Sequence, residues 1–117
     1  GTDGLFTDSD VNEVADPSWP RTDMGWPVVP WGFKHLLQWI QDRYAPPGGI
    51  YITENGFAIR EDTTESALSD KARVEFFQAY IAQMYRAIQD GADVRGYFAW
   101  SLLDNFEWAF GYSKRFG

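Results

Sequence analysis

Apolar positions fall into two different periods along this chain. Over 31–44 they recur at Phe33, Leu36, Leu37, Ile40 and Tyr44, a helical stripe that Pro46-Pro47-Gly48-Gly49 ends sharply. Ile50-Tyr51-Ile52-Thr53 then reads as a short β-strand, with a composition that suggests burial on both faces and Asn55-Gly56 as its break. Residues 57–69 read as a polar loop. Ser69 is the expected N-cap of a second helix, with Asp70 in its first turn. That helix runs to about Asp90, buries Phe77, Tyr80, Ile81, Met84, Tyr85 and Ile88, and ends at Gly91 in the C′ position. A second strand follows over 94–100. Beyond it come a loop or short helical turn over 102–109 and a final stretch over 111–117.

The order helix, strand, helix, strand, with a crossover of about thirty residues, predicts parallel strands in a right-handed βαβ unit. Two strands cannot close a barrel, and their Ile-, Val-, Tyr- and Phe-rich edges would invite association. The chain is therefore expected to be incomplete by itself. Residues 1–30 show no period and are rich in Asp, Gly, Pro and Thr, a long loop. A loop of that length at the end of a small domain is either disordered or packed on protein that this chain lacks. Trp19, Trp26 and Trp31 argue against plain disorder. The expected division is thus a loop-rich segment over 1–30 and β/α units over 31–117.

Composition narrows the chemistry. The 117 residues are enough for one small domain and too few for a closed eight-fold β/α barrel. There is no cysteine, which excludes disulfides, thiolate metal sites and a cysteine nucleophile. A single histidine, His35, rules out a multi-histidine metal cage, and its place in the first helix points to surface or packing. Ten Lys and Arg are scattered among seventeen acids, for a net charge of -7, so no nucleic-acid footprint is expected. No apolar run reaches membrane-spanning length, and no signal peptide is visible. Six Trp, six Tyr and nine Phe are many for this length. They suit an aromatic core, or a pocket for a flat hydroxylated ligand where they sit beside carboxylates.

Carboxylates at strand ends carry the chemical interest. Glu54 follows the first strand, and in α/β folds that end lines the active site. It could equally cap a turn or lie solvated in a loop. Trp100 ends the second strand, with Glu107 and Trp108 in the turn beyond. Parallel strands would bring these to one rim, where a carboxylate can accept sugar hydroxyls and an indole can pack on a pyranose. Trp100 and Trp108 as core aromatics, with Glu107 a surface acid, is the alternative. Retaining glycoside hydrolysis needs a second carboxyl group about 5–5.5 Å from the nucleophile. Glu107, Asp104, Glu61 and Asp62 are the acids available, and none carries a motif for that role. Asp104, Arg73 and Arg115 read as structural.

Motifs then add a resemblance. Gly25-Trp26-Pro27, Tyr51-Ile52-Thr53-Glu54-Asn55-Gly56, the run from Asp90 to Ala109 that includes Ala99-Trp100-Ser101-Leu102-Leu103-Asp104-Asn105-Phe106-Glu107-Trp108, then Gly111-Tyr112 and Arg115-Phe116-Gly117 together resemble the C-terminal part of family 1 glycoside hydrolases, the β-glucosidase family. The likeness covers roughly residues 21–117 and is specific. It implies an α/β fold, an incomplete (β/α)8 TIM barrel: the piece holding strands seven and eight with their helices. It implies Glu54 as the catalytic nucleophile of a retaining β-glycosidase, and Trp100, Glu107, Trp108 and Phe116 as substrate-binding. Trp100 would lie under the sugar, Glu107 would hold the 4- and 6-hydroxyls, Trp108 would reach the 3-hydroxyl, and Phe116 would line the pocket. It also implies a cis peptide after Trp100.

A carboxylate at Glu107 would repel a 6-phosphate, so the resemblance implies a non-phosphorylated gluco- or galacto-type β-glycoside or oligosaccharide. No metal or organic cofactor is implied. Gln83 and Trp31 depart mildly from the family pattern. The Asn-Glu-Pro acid/base motif, a first-strand glutamine, a third-strand histidine and a sixth-strand tyrosine are missing. The implied partner is the remainder of the barrel, from another chain or segment. A non-catalytic carbohydrate-binding piece, or an inert fragment lacking the acid/base glutamate, is the other reading.

Overall fold

The computed structural model describes residues 14–60 and 63–117. Its elements are α1 (Pro30–Tyr44), β1 (Ile50–Gly56), α2 (Thr64–Ser69), α3 (Lys71–Gln89), β2 (Val94–Trp100) and a 3-10 turn (Trp108–Phe110). The strands pair in parallel as a two-stranded sheet, and α1 packs against α3. The α/β class and the helix–strand–helix–strand order are as expected, with one more short helix. Among the described residues, no helix is long and apolar enough to cross a membrane.

Local chemistry sets the boundaries. Pro30 opens α1, where its missing N–H is no loss. Ala45 closes it in the left-handed region, its N–H donating to the Gln41 carbonyl. The core lies where both helices meet the sheet: Leu37, Ile50, Ile52, Ala87 and Ala92 are buried, with Phe33, Ile40, Met84, Val94 and Tyr97 packed around them. Leu37 is fully buried, worth about 2 kcal/mol by its removal from water. Leu36 and Tyr44, expected on the same stripe, are exposed instead.

Four expectations are corrected. First, β1 does not stop at Thr53 but runs through Glu54 and Asn55 to Gly56, which pairs with Trp100. Glycine is required there because a Cβ would collide with the Trp100 carbonyl oxygen. Second, β1 is not buried on both faces: Ile50 and Ile52 are buried while Tyr51 and Thr53 are exposed, since the helices cover only one side. Third, the segment over 57–69 is not all loop. Thr63 caps α2, its Oγ1 accepting the Ser66 N–H at 3.1 Å. Asp70, not Ser69, then opens α3, in the left-handed region and with its side chain turned to Arg73 instead of capping. Fourth, α3 buries Arg73, Phe76, Tyr80 and Ala87, whereas Ile81, Tyr85 and Ile88 are exposed. The helix is apolar on more than one side, so its period did not decide which side goes in. Glu61 and Asp62 lie outside the described residues, as does 1–13 of the N-terminal loop.

The described part of that loop is tied to the chain. Thr22 and Trp26 pair across a tight turn, N to O at 2.9 Å. The Asp23 N–H donates to the Ala58 carbonyl, and Lys114 Nζ reaches the Asp23 carboxylate at 2.8 Å.

Candidate active site

The five residues singled out in the sequence line one cavity of about 370 Å³. Glu54 comes from β1, Trp100 ends β2, Glu107 and Trp108 come from the turn beyond it, and Phe116 comes from the following segment. Thr22, Trp26, Pro27, Asn55, Gly56, Phe76 and Tyr80 complete the wall. Parallel pairing causes the convergence, because both strands end on the same side.

Main-chain bonds shape the segment after β2. The Trp100–Ser101 peptide is cis, as the resemblance implied. Ser101 N–H donates to the Phe116 carbonyl at 3.1 Å, folding the segment back on the strand end. Glu107 N–H donates to the Gly111 carbonyl at 2.7 Å, so Glu107 and Trp108 sit in a closed turn. Trp108 takes a left-handed conformation, φ 45°. Asp104 Oδ1 accepts the Gly117 N–H at 2.9 Å, the structural task expected of it.

Arg73 anchors the same segment from below. It is 4% exposed, and its guanidinium donates to the carbonyls of Phe57, Arg115 and Gly117 and to Asp70. That structural role is as read from the sequence. Arg115 contributes its main chain, bridging Ile59. His35 is exposed and meets the Trp31 ring edge-on at 5.5 Å.

Burial differs sharply among the lining groups. Phe116 is 2% exposed, with the Trp26 ring 6.1 Å away, and forms the cavity floor. Trp108 is 82% exposed, and Glu54 is open to the cavity. Among the described residues, no Lys, Arg or His side chain lines the cavity, whereas two carboxylates do. An acid-bearing, indole-lined wall without cations suits a neutral polyhydroxylated ligand: carboxylate oxygens accept its hydroxyl hydrogens and rings cover its C–H faces.

Several lining residues were not singled out in the sequence. Tyr80 stacks on Phe76 at 4.2 Å, and its hydroxyl accepts the Val29 N–H at 2.9 Å, binding the loop to α3. Burial raises its phenol above the ordinary range, and the bond from Val29 opposes this in part. On a helix it looked like any core aromatic. Asn55 reads in the sequence as a strand breaker, yet Tyr97 donates its hydroxyl hydrogen to Asn55 Oδ1 at 2.8 Å. Thr22 is buried and accepts the N–H groups of Met24 and Trp26.

Comparison with known proteins agrees on kinship. The profile of "Glycosyl hydrolase family 1" matches residues 5–117. The chain is 55% identical over 93 residues to "Beta-glucosidase 4" of Oryza sativa subsp. japonica, covering 77% of this chain and 19% of the relative. It is 50% identical over 99 residues to "1,4-beta-D-glucan glucohydrolase" of Thermotoga neapolitana, covering 84% and 23%. Among solved structures, the Thermotoga maritima family 1 glycoside hydrolase complexed with a cyclophellitol analogue superposes with a TM-score of 0.80 at 47% identity, over 88% of this chain and 23% of that one. The chain spans about a fifth of the length of the curated relatives it matches.

Proposed function

The chain belongs to glycosyl hydrolase family 1, and from that premise we propose that it forms the nucleophile-bearing wall of a retaining β-glycosidase's sugar pocket. The observation that carries this reading is the convergence of Glu54, Trp100, Glu107, Trp108 and Phe116 on one cation-free cavity. In this reading β1 and β2 are strands seven and eight of the barrel. Residues 31–117 are its C-terminal β/α units, and 1–30 pack partly on the remainder.

By themselves the 117 residues are best read as a non-catalytic, sugar-holding piece. Retaining hydrolysis takes two carboxyl groups about 5–5.5 Å apart. Among the described residues, the cavity is lined by two acids, Glu54 and Glu107, and Glu107 is assigned to the sugar hydroxyls. The proton donor has to come from the rest of the barrel, supplied by another chain or segment. In the completed barrel, a Glu54 oxygen attacks the anomeric carbon while that donor protonates the departing glycosidic oxygen. Water then attacks the glycosyl ester, giving its proton to the same group, and the sugar leaves with its configuration retained. Trp100 packs under the ring and Trp108 beside the 3-hydroxyl. Glu107 accepts the 4- and 6-hydroxyl hydrogens and disfavours a 6-phosphate by charge. The substrate class is a non-phosphorylated gluco- or galacto-type β-glycoside.

A chimera tests this, with the chain replacing the matching segment of the Thermotoga maritima hydrolase. A 2-deoxy-2-fluoro β-glucoside should inactivate it and leave a glycosyl group on Glu54 in the digested protein. The unfused chain should bind glucose analogues without turning over substrate. A label on any other residue removes the nucleophile assignment.

A further inference from the structure

Successive side chains of a strand point to opposite faces. Strict alternation from Ile50 and Ile52, both buried under the helices, would put Glu54 under the helices too. It is instead exposed and lines the cavity. The pairing register explains this. Ile52 pairs with Tyr97 and Asn55 with Ala99, so β1 takes three steps where β2 takes two. This irregular step over Thr53 and Glu54 offsets an opposite one between Ile50 and Tyr51, where β2 takes the extra residue, and a bulge of this kind reverses the local alternation and re-aims a side chain.

One side-chain hydrogen bond straddles that irregular step. Tyr97, the partner of Ile52, donates to Oδ1 of Asn55, the partner of Ala99. The Tyr97 ring is packed against the core beneath the helices, so the bond ties Asn55, which lines the cavity beside Glu54, to the packed core. Glu54, one residue earlier, is thereby tethered at the residue next to it. Burial pushes the Tyr97 phenol up to about 12.

We propose that Tyr97 is a positioning residue, whose bond to Asn55 holds the bulge that turns Glu54 into the cavity. The inference rests on the reading of Glu54 as nucleophile. It acts through geometry: a carboxylate displaced by about 1 Å loses its line of attack at a cost of up to about a hundredfold.

The test uses the active chimera with Tyr97→Phe, Asn55→Ala and the double variant. The rate constant and inhibition constant for glycosylation of Glu54 by the 2-deoxy-2-fluoro β-glucoside are measured separately. Each single variant should slow glycosylation about tenfold to a hundredfold, and in Tyr97→Phe, whose ring lies outside the cavity wall, the inhibition constant should stay within about twofold. The double variant should be no slower than the slower single one, because both remove the same bond. Wild-type rates in Tyr97→Phe, or losses that multiply in the double variant, would overturn the proposal. Should Tyr97→Phe fail to fold, Asn55→Asp, which keeps an acceptor oxygen for Tyr97, decides: it must retain more of the wild-type rate than Asn55→Ala, and an equal loss would overturn the proposal. A wild-type chimera labelled away from Glu54 sinks the nucleophile reading, and this inference with it. A chimera labelled at Glu54 whose variants react normally sinks this inference only.

Discussion

On the side of the sheet that faces the helices, Ile50 and Ile52 are each 8% exposed beneath Leu37, Ala87 and Ala92. On the opposite side Tyr51 and Phe98, equally apolar and from the same strands, are 56% and 60% exposed. The residues differ little in type; what differs is the cover. α3 repeats the contrast, burying Phe76 and Tyr80 while Val74, Ile81 and Tyr85 stand open. Apolar side chains of this size each gain roughly 2 kcal/mol on full burial, which is what the proposed remainder of the barrel would supply on the open side. The cavity that holds Glu54 lies at the strand ends, where Gly56 and Trp100 pair and both sides meet.

The largest expected effect is on the chemistry at that edge. In the chimera, Glu54→Gln should lower kcat by at least about a thousandfold while thermal stability holds, checked by steady-state kinetics and a melting curve. Activity within tenfold of wild type would leave the cavity without its proposed role. Next comes the closed side: Leu37→Ala should cost about 3 kcal/mol in chemical denaturation, because it empties a fully packed site. Phe98→Ala is the sharper probe. A ring that stays open loses under about 0.5 kcal/mol on truncation. If the rest of the barrel covers it, the same change in the chimera should approach the loss at Leu37, and that larger loss is expected.

Arg73→Ala should cost about 2–3 kcal/mol, since it removes a buried side chain and the charged donor to Asp70 and three part-buried carbonyl bonds. Its melting curve should shift while the inactivator's inhibition constant changes little. The smallest effect concerns pH. The Tyr97 phenol is raised from its ordinary 10.0 to about 12, so the protonated form is favoured in the folded state. The resulting stability is whole below pH 10 and is lost as pH climbs towards 12. Melting temperatures of wild type and Tyr97→Phe should therefore converge over that interval.

Much of this was legible along the chain. The period of Phe33, Leu37 and Ile40, the Pro-Pro stop and the Gly91 terminator are local signals, and local geometry obeyed them. The strand-end placing of Trp100 and the gathering of Glu107, Trp108 and Phe116 followed from parallel pairing together with family motifs. Asn55-Gly56 misled because a glycine that breaks a strand and one that admits a neighbouring carbonyl look alike in sequence. The sides of α3 misled for a similar reason: several of its faces are apolar, and periodicity cannot rank them.

By itself, the sequence determined the element order, the helix stops, the family and the residues worth watching, because these depend on neighbours in the chain or on motifs carried whole. Only the tertiary structure decided which apolar faces are covered, that Arg73 ties three distant carbonyls, and that β1 bulges at Glu54. Each depends on contacts between segments far apart in the chain, as in the register between β1 and β2, about forty residues apart, where an irregular step re-aims a side chain.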